Sequence, residues 1–219
     1  TLEKLAAIPL VKMVQTDYNR TKVGFYFDVT GRNEFYVLDP TTKEYQKKTE
    51  GHLPRAIRAG FLWLKDGKSI IYTKDKDGNE KHDLYYFNIE TLEVRQLTDT
   101  PQASEFPLDI SPDGKYLVFS STRAGQLNLF KMNLDTGDIV QLTDHKAPTW
   151  GTAVWGTDGW IYYPCNETAN LKNRDIWAVK EDGSEKRLVL QLSTDSQENV
   201  ADITADASLL AIESDVTGI

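Results

Sequence analysis

Apolar residues along this chain fall in short runs separated by clusters of turn formers. Tyr116-Leu117-Val118-Phe119 is representative: it is too short for a helix, rich in β-formers, and directly preceded by Ser111-Pro112-Asp113-Gly114 and Lys115. In such a tetrapeptide Pro fixes φ and Gly tolerates φ > 0, so the chain reverses there and the apolar run reads as a strand. The neighbourhood predicts four strands, 105–110, 116–119, 127–132 and 139–142. Arg123-Ala124-Gly125 and the stretch 133–138 turn the chain between them, and Thr143-Asp144 closes the unit.

The same four-strand phrase recurs. Taking Asp113 as reference, the matching points are Arg20, Asp66, Asp158 and Asp206, with steps of 46, 47, 45 and 48 residues. The second copy predicts strands at 61–64, 70–72, 84–87 and 94–97, and the fourth at 153–155, 160–163, 176–179 and 187–190. The first is more diverged, with strands at 10–15, 23–27, 35–38 and 45–46, and the fifth shows two, 200–203 and 209–212. Columns support the register. Trp63, Ile110, Trp155 and Ile203 precede the turn Asp by three, and an aromatic recurs in the third strand at Tyr36, Tyr85, Phe130 and Trp177.

A fixed period of this size marks a repeat architecture. A twisted sheet that cannot bury both faces alone stacks on its neighbours, and sequential four-stranded antiparallel sheets make a β-propeller. The expectation is an all-β chain, 1–219, forming one partial propeller domain of about four and a half blades. The blades run about 10–51, 52–100, 101–145, 146–195 and a truncated 196–219. A β-sandwich is the runner-up. Residues 1–9 read as a short N-terminal helix, with Thr1 as N-cap and Leu2, Leu5 and Ile8 on one side before Pro9.

The Ser-Pro-Asp-Gly-Lys-Tyr-Leu-Val-Phe-Ser-Ser phrase from Ser111, the Leu-Asn-Leu-Phe-Lys-Met-Asn-Leu-Asp-Thr-Gly stretch from Leu127 and Gln-Leu-Thr-Asp from Gln141 resemble the TolB-type propeller repeat. That repeat also builds the propeller domain of the prolyl oligopeptidase family. A short helix feeding the first blade resembles the start of an acylaminoacyl-peptidase-type chain. The resemblance implies a propeller that gates or positions peptides for a serine peptidase, with the α/β-hydrolase domain as its partner. The alternative it leaves open is a stand-alone TolB-like scaffold that binds a protein. No Gly-x-Ser-x-Gly nucleophile elbow occurs in the sequence. The chain is therefore expected to be a fragment with no catalytic residues of its own, whose open blade edges permit homo-oligomers.

Composition narrows the partners. The formal net charge of −8 disfavours a sequence-independent grip on nucleic acid, and no apolar run approaches a membrane span. Cys165 is the only cysteine, so no internal disulfide is possible. Without an export signal the expectation is cytoplasmic, with periplasmic or extracellular as the alternative. Two sequons start at Asn19 and Asn166.

Candidate chemistry is sparse. His52, His82 and His145 each fall between predicted strands and read as solvated loop residues. No His-x-x-x-His or Cys-x-x-Cys spacing offers a zinc site, and Asp75-Lys76-Asp77-Gly78-Asn79-Glu80 reads as a hairpin tip rather than a calcium loop. No metal or cofactor is expected. Asp17, Asp109 and Asp202 lie in or beside first strands, the placement a propeller glycosidase would use. Eight residues before the turn Asp stand Arg58, Glu105, Trp150 and Glu198, candidate substrate-binding residues at the rim of a central channel.

Overall fold

The computed structural model describes residues 8–54 and 57–217, and every described element is a strand. The chain divides into two compact units, Thr1–Asp99 and Thr100–Ile219. The expected helix at 1–9 falls, for its first seven residues, outside the described residues.

Unit 1 holds two antiparallel sheets. One contains β1 (Val11–Thr16), β2 (Val23–Phe27), β3 (Glu34–Leu38) and β4 (Tyr45–Lys47); the other contains β5 (Phe61–Trp63), β6 (Ser69–Asp75), β7 (His82–Asn88) and β8 (Val94–Gln96). Unit 2 holds β9 (Glu105–Ile110), β10 (Tyr116–Ser121), β11 (Asn128–Asn133) and β12 (Ile139–Gln141) in one sheet. Its second sheet is β13 (Val154–Trp155), β14 (Trp160–Cys165), β15 (Asp175–Lys180) and β16 (Lys186–Leu190). A two-stranded sheet, β17 (Glu198–Ile203) and β18 (Leu210–Ser214), follows. In every sheet the spatial order is the chain order, and every neighbouring pair is antiparallel. These are propeller blades, and the fold class is an incomplete β-propeller.

The repeat is written in hydrogen bonds. Thr49, Thr98 and Thr143 each accept, through the hydroxyl, the amide of the third strand of their own sheet: Phe35, Leu84 and Leu129. Each then donates to the polar residue one before that amide, Glu34, Asp83 or Asn128. Gln96 and Gln141 reach two residues forward to the carbonyls of Thr98 and Thr143. The Gln-Leu-Thr phrase is thus a latch that fastens the fourth strand to the third.

Cross-strand aromatic pairs recur as regularly. Phe25 faces Tyr36, Tyr72 faces Tyr85, Phe119 faces Phe130 and Tyr163 faces Trp177 in register. The first three pairs have ring centroids 5.7, 5.6 and 5.8 Å apart. Directly opposed aromatics stabilise a sheet by roughly 0.2–1 kcal/mol each.

The first copy is offset by one residue from the sequence alignment. Gly67, Gly114 and Gly159 close their turns with φ of 61°, 77° and 80° and return the amide to the carbonyl three residues back. Arg20 does the same at φ 56°, donating to Asp17 O, so it occupies the glycine position and Asn19 the aspartate position.

In unit 1 the two sheets meet over Tyr26, Phe35, Phe61 and Trp63, with Phe35 and Phe61 4.8 Å apart edge to face. Gly24 makes this possible. A Cβ there would sit 2.7 Å from Phe35 Cζ and 2.9 Å from both Phe61 and Trp63 ring atoms. In unit 2 the first strands adjoin: β13 lies against both β9 and β17. Thr152 Oγ1 bonds Val200 O and Thr157 Oγ1 bonds Ala205 O, the same 48-residue offset, so these segments run parallel.

Candidate functional site

Glu105 opens β9 and Glu198 opens β17, equivalent places in their repeats. Both are fully buried, at 0% exposure, rather than part of a solvated rim. The cause is a partner that recurs sixteen residues on. Ser121 donates to Glu105 Oε1 at 3.2 Å, and Ser214 donates to Glu198 Oε1 at 2.9 Å. Glu105 also takes the Arg123 guanidinium on Oε1, and that guanidinium lies over the rings of Phe119 and Phe130. Near Glu198 stands the half-buried Arg174; burial lowers its basicity, which Asp215 and Glu198 oppose. In each carboxylate Oε2 has no hydrogen-bond donor among the described residues. A buried carboxylate oxygen left this way is costly unless a further donor comes to it.

Trp150 is 60% exposed in the segment leading to β13. The next residue, Gly151, packs its α-carbon face against Asn199 Oδ1 of β17. The structure therefore brings Trp150 beside the strand that Glu198 opens, with Glu105 at the same end of β9. The serine sixteen residues on is not a column of the repeat, since Lys74 and Asn166 stand there after Arg58 and Trp150, and Arg123 and Arg174 belong to loops that the repeat does not constrain.

Arg58 lies in unit 1, exposed, on a cleft of about 680 Å³. Arg32, Lys74, Asp75, Glu80 and His82 line the same cleft. The 75–80 stretch is a hairpin tip between β6 and β7, as expected, with Asp77, Gly78 and Glu80 at positive φ. His82 is not a solvated loop residue. It opens β7, pairs with Asp75 and is 7% exposed. Burial holds its imidazole below the ordinary value, Asp75 and Glu80 oppose that, and Arg58 reinforces it.

His145 is also buried, at 3% exposure, and only His52 is exposed as expected. Its Nδ1 meets Glu167 and its Nε2 meets the Tyr163 hydroxyl at 2.8 Å, so neither nitrogen is left to serve as base to a serine. Asp17 and Asp109 are likewise occupied. Burial pushes the Asp17 carboxyl up, but the Lys22 and Thr21 amides and the Thr21 hydroxyl outweigh it and hold it below the usual range. Asp109 accepts the amides of Ile110 and Trp155, and Asp202 accepts that of Ile203. These are positioning bonds of the backbone, which sequence placement alone does not distinguish from a glycosidase pair.

No protein-family model matches the chain. Among curated proteins it is 28% identical over 120 residues to an uncharacterised protein of Agrobacterium fabrum, covering 55% of this chain and 39% of that one. It is 26% identical over 129 residues to dipeptidyl-peptidase 5 of Porphyromonas gingivalis, covering 57% of this chain and 18% of the peptidase. The matched stretches thus span well under two thirds of these relatives. Among solved structures, TolB from Acinetobacter baumannii superposes with TM-score 0.65 at 17% identity over 86% of this chain and 45% of that one. A puromycin hydrolase gives TM-score 0.67 at 15% identity over 88% and 33%. The chain is built of TolB-type β-propeller repeats and is similar to the propeller domains of prolyl-oligopeptidase-family peptidases.

Proposed function

We propose that this chain is the non-catalytic propeller of a serine peptidase of the prolyl oligopeptidase type, and that it admits and positions peptides. The nucleophile, base and oxyanion hole would lie in an α/β-hydrolase domain elsewhere in the parent polypeptide. The observation that carries this reading is the pair Glu105 and Glu198. Two buried carboxylates, at equivalent ends of first strands that flank β13 on either side, each keep an oxygen without a donor among the described residues, a feature that suits the ammonium of a peptide N-terminus. Trp150 offers an exposed aromatic face to the side chains that follow. The likeness to dipeptidyl-peptidase 5 supports the same direction.

The test is hydrolysis of aminoacyl and dipeptidyl p-nitroanilides by the parent protein and by this chain alone. The parent is expected to cleave them with serine-reagent sensitivity, and the chain alone to be silent. A parent reading frame without a nucleophile elbow, inactive on such substrates, would instead support a TolB-like protein-binding scaffold.

A further inference from the structure

We infer that His145, Cys165 and Glu167 form a binding site for a borderline-soft divalent cation of the zinc type. One ligand atom from each residue lies within 4.8 Å of the other two. The sequence hides this set, because the spacing of 20 and 2 residues matches no zinc pattern. Strand geometry makes it: Cys165 ends β14, Glu167 follows two residues on, and His145 stands after the latch threonine Thr143 of the preceding sheet.

Ligand type favours zinc. A thiolate, an imidazole and one carboxylate suit Zn²⁺ over the oxygen-seeking Mg²⁺ and Ca²⁺. Bonds of about 2.0–2.3 Å place tetrahedral ligands roughly 3.3–3.7 Å apart, so closure needs side-chain shifts of about an ångström. Glu167 is the partly exposed member, its side chain 31% accessible, and it opens the site to solvent where a fourth ligand, water, would enter. Cys165 and His145 are buried behind it.

The surroundings fit a cation. Asp144 and Asp175 add negative charge around the cluster, and the ammonium that opposes it, Lys186, is itself held by Asp144 at 2.7 Å. The outer partner of the imidazole is in place. With Nδ1 on the metal, Nε2–H donates to the Tyr163 hydroxyl, the second contact that fixes a ligating histidine. Binding exchanges one proton for the metal, because the Cys165 thiol, now directed at the carbonyls of Ala147 and Pro148, ionises as the Zn–S bond forms.

The experiment is titration of the purified protein with Co²⁺ and then Zn²⁺. One equivalent of Co²⁺ should produce a thiolate-to-cobalt charge-transfer band that Zn²⁺ displaces. Cys165→Ser should abolish the band, and Tyr163→Phe should weaken affinity about 10–100-fold while leaving the band in place. X-ray absorption of the zinc-loaded wild type, which needs no variant to fold, should show one sulfur among nitrogen and oxygen neighbours. No stoichiometric binding, a band that survives in Cys165→Ser, or a first shell without sulfur would overturn the inference. The cluster would then be a buried Tyr163–His145–Glu167 hydrogen-bond chain beside an inert thiol.

Discussion

Single residues in this protein act through what surrounds them. Gly24 is small because three rings converge on it. Packed ring atoms yield little, so Gly24→Ala should destabilise the protein by about 1–3 kcal/mol. Denaturant unfolding checks this, and an unchanged midpoint would mean that the Phe35, Phe61 and Trp63 rings are not seated there. His82 makes stability depend on pH. Its folded value is depressed by burial, with Asp75 and Glu80 opposing and Arg58 reinforcing. The unfolded chain protonates it near pH 6.5, as imidazole does in model peptides. Below about that pH the unfolded state binds more protons than the folded one, so stability falls as pH drops and is regained above it. His82→Gln should reduce this acid limb in thermal melts across pH 5–8 (a range of order that of the imidazole titration), leaving the part due to His145, whose imidazole burial also holds below the ordinary value. An identical limb in the variant would remove His82 as its source.

At the scale of the element, the hairpin between third and fourth strands shows how the repeat tolerates different residues. Asp39, Asn88 and Asn133 each accept two amides from the turn that follows. Four residues after them stand Lys43, Leu92 and Gly137, with φ of 64°, 62° and 79°. Of these three, only Gly137 is the residue the conformation favours; the fourth copy's hairpin also uses a glycine, Gly183, at φ 75°. Leu92 is also exposed. The left-handed region costs a non-glycine about 1–2 kcal/mol, against roughly 0.5–1 kcal/mol of extra chain entropy for glycine. Leu92→Gly should therefore stabilise the protein by up to about 1 kcal/mol, read as a higher denaturation midpoint. A lower midpoint would show that Leu92 contributes packing that its exposure does not suggest.

These elements also show what the sequence made legible. The apolar runs located the strands, because β-branched and aromatic side chains mark the buried face. The ends were harder. β10 continues through Ser120 and Ser121 and β7 begins at His82, since backbone pairing persists there on polar residues: Ser121 bonds Glu105 through its hydroxyl, and His82 stands in register with Asp75. Arg20 was aligned one place early because a basic residue at φ 56° carries no mark of the glycine it replaces. The candidate carboxylates Glu105 and Glu198 were found by counting from the turn. Their burial was not, since it depends on Ser121, Ser214 and Arg123 brought back by the next strand or loop. The His145–Cys165–Glu167 cluster was invisible because its members come from two sheets.

Over the whole molecule, the net charge of −8 and the two buried glutamates at first-strand starts are the grounds for the proposal that this propeller receives cationic groups. The carboxylates are the feature that separates a peptide-positioning propeller from a passive scaffold. The most direct measurement compares free-amine and N-acetylated peptide anilides as substrates of the parent protein, wild type and Glu198→Gln. If Glu198 holds the peptide ammonium, wild type should prefer the free amine. The variant should lose at least about tenfold in kcat/KM on it, the scale of one charge-assisted contact, and almost nothing on the acetylated substrate. Equal losses on both substrates, or none on either, would contradict the account.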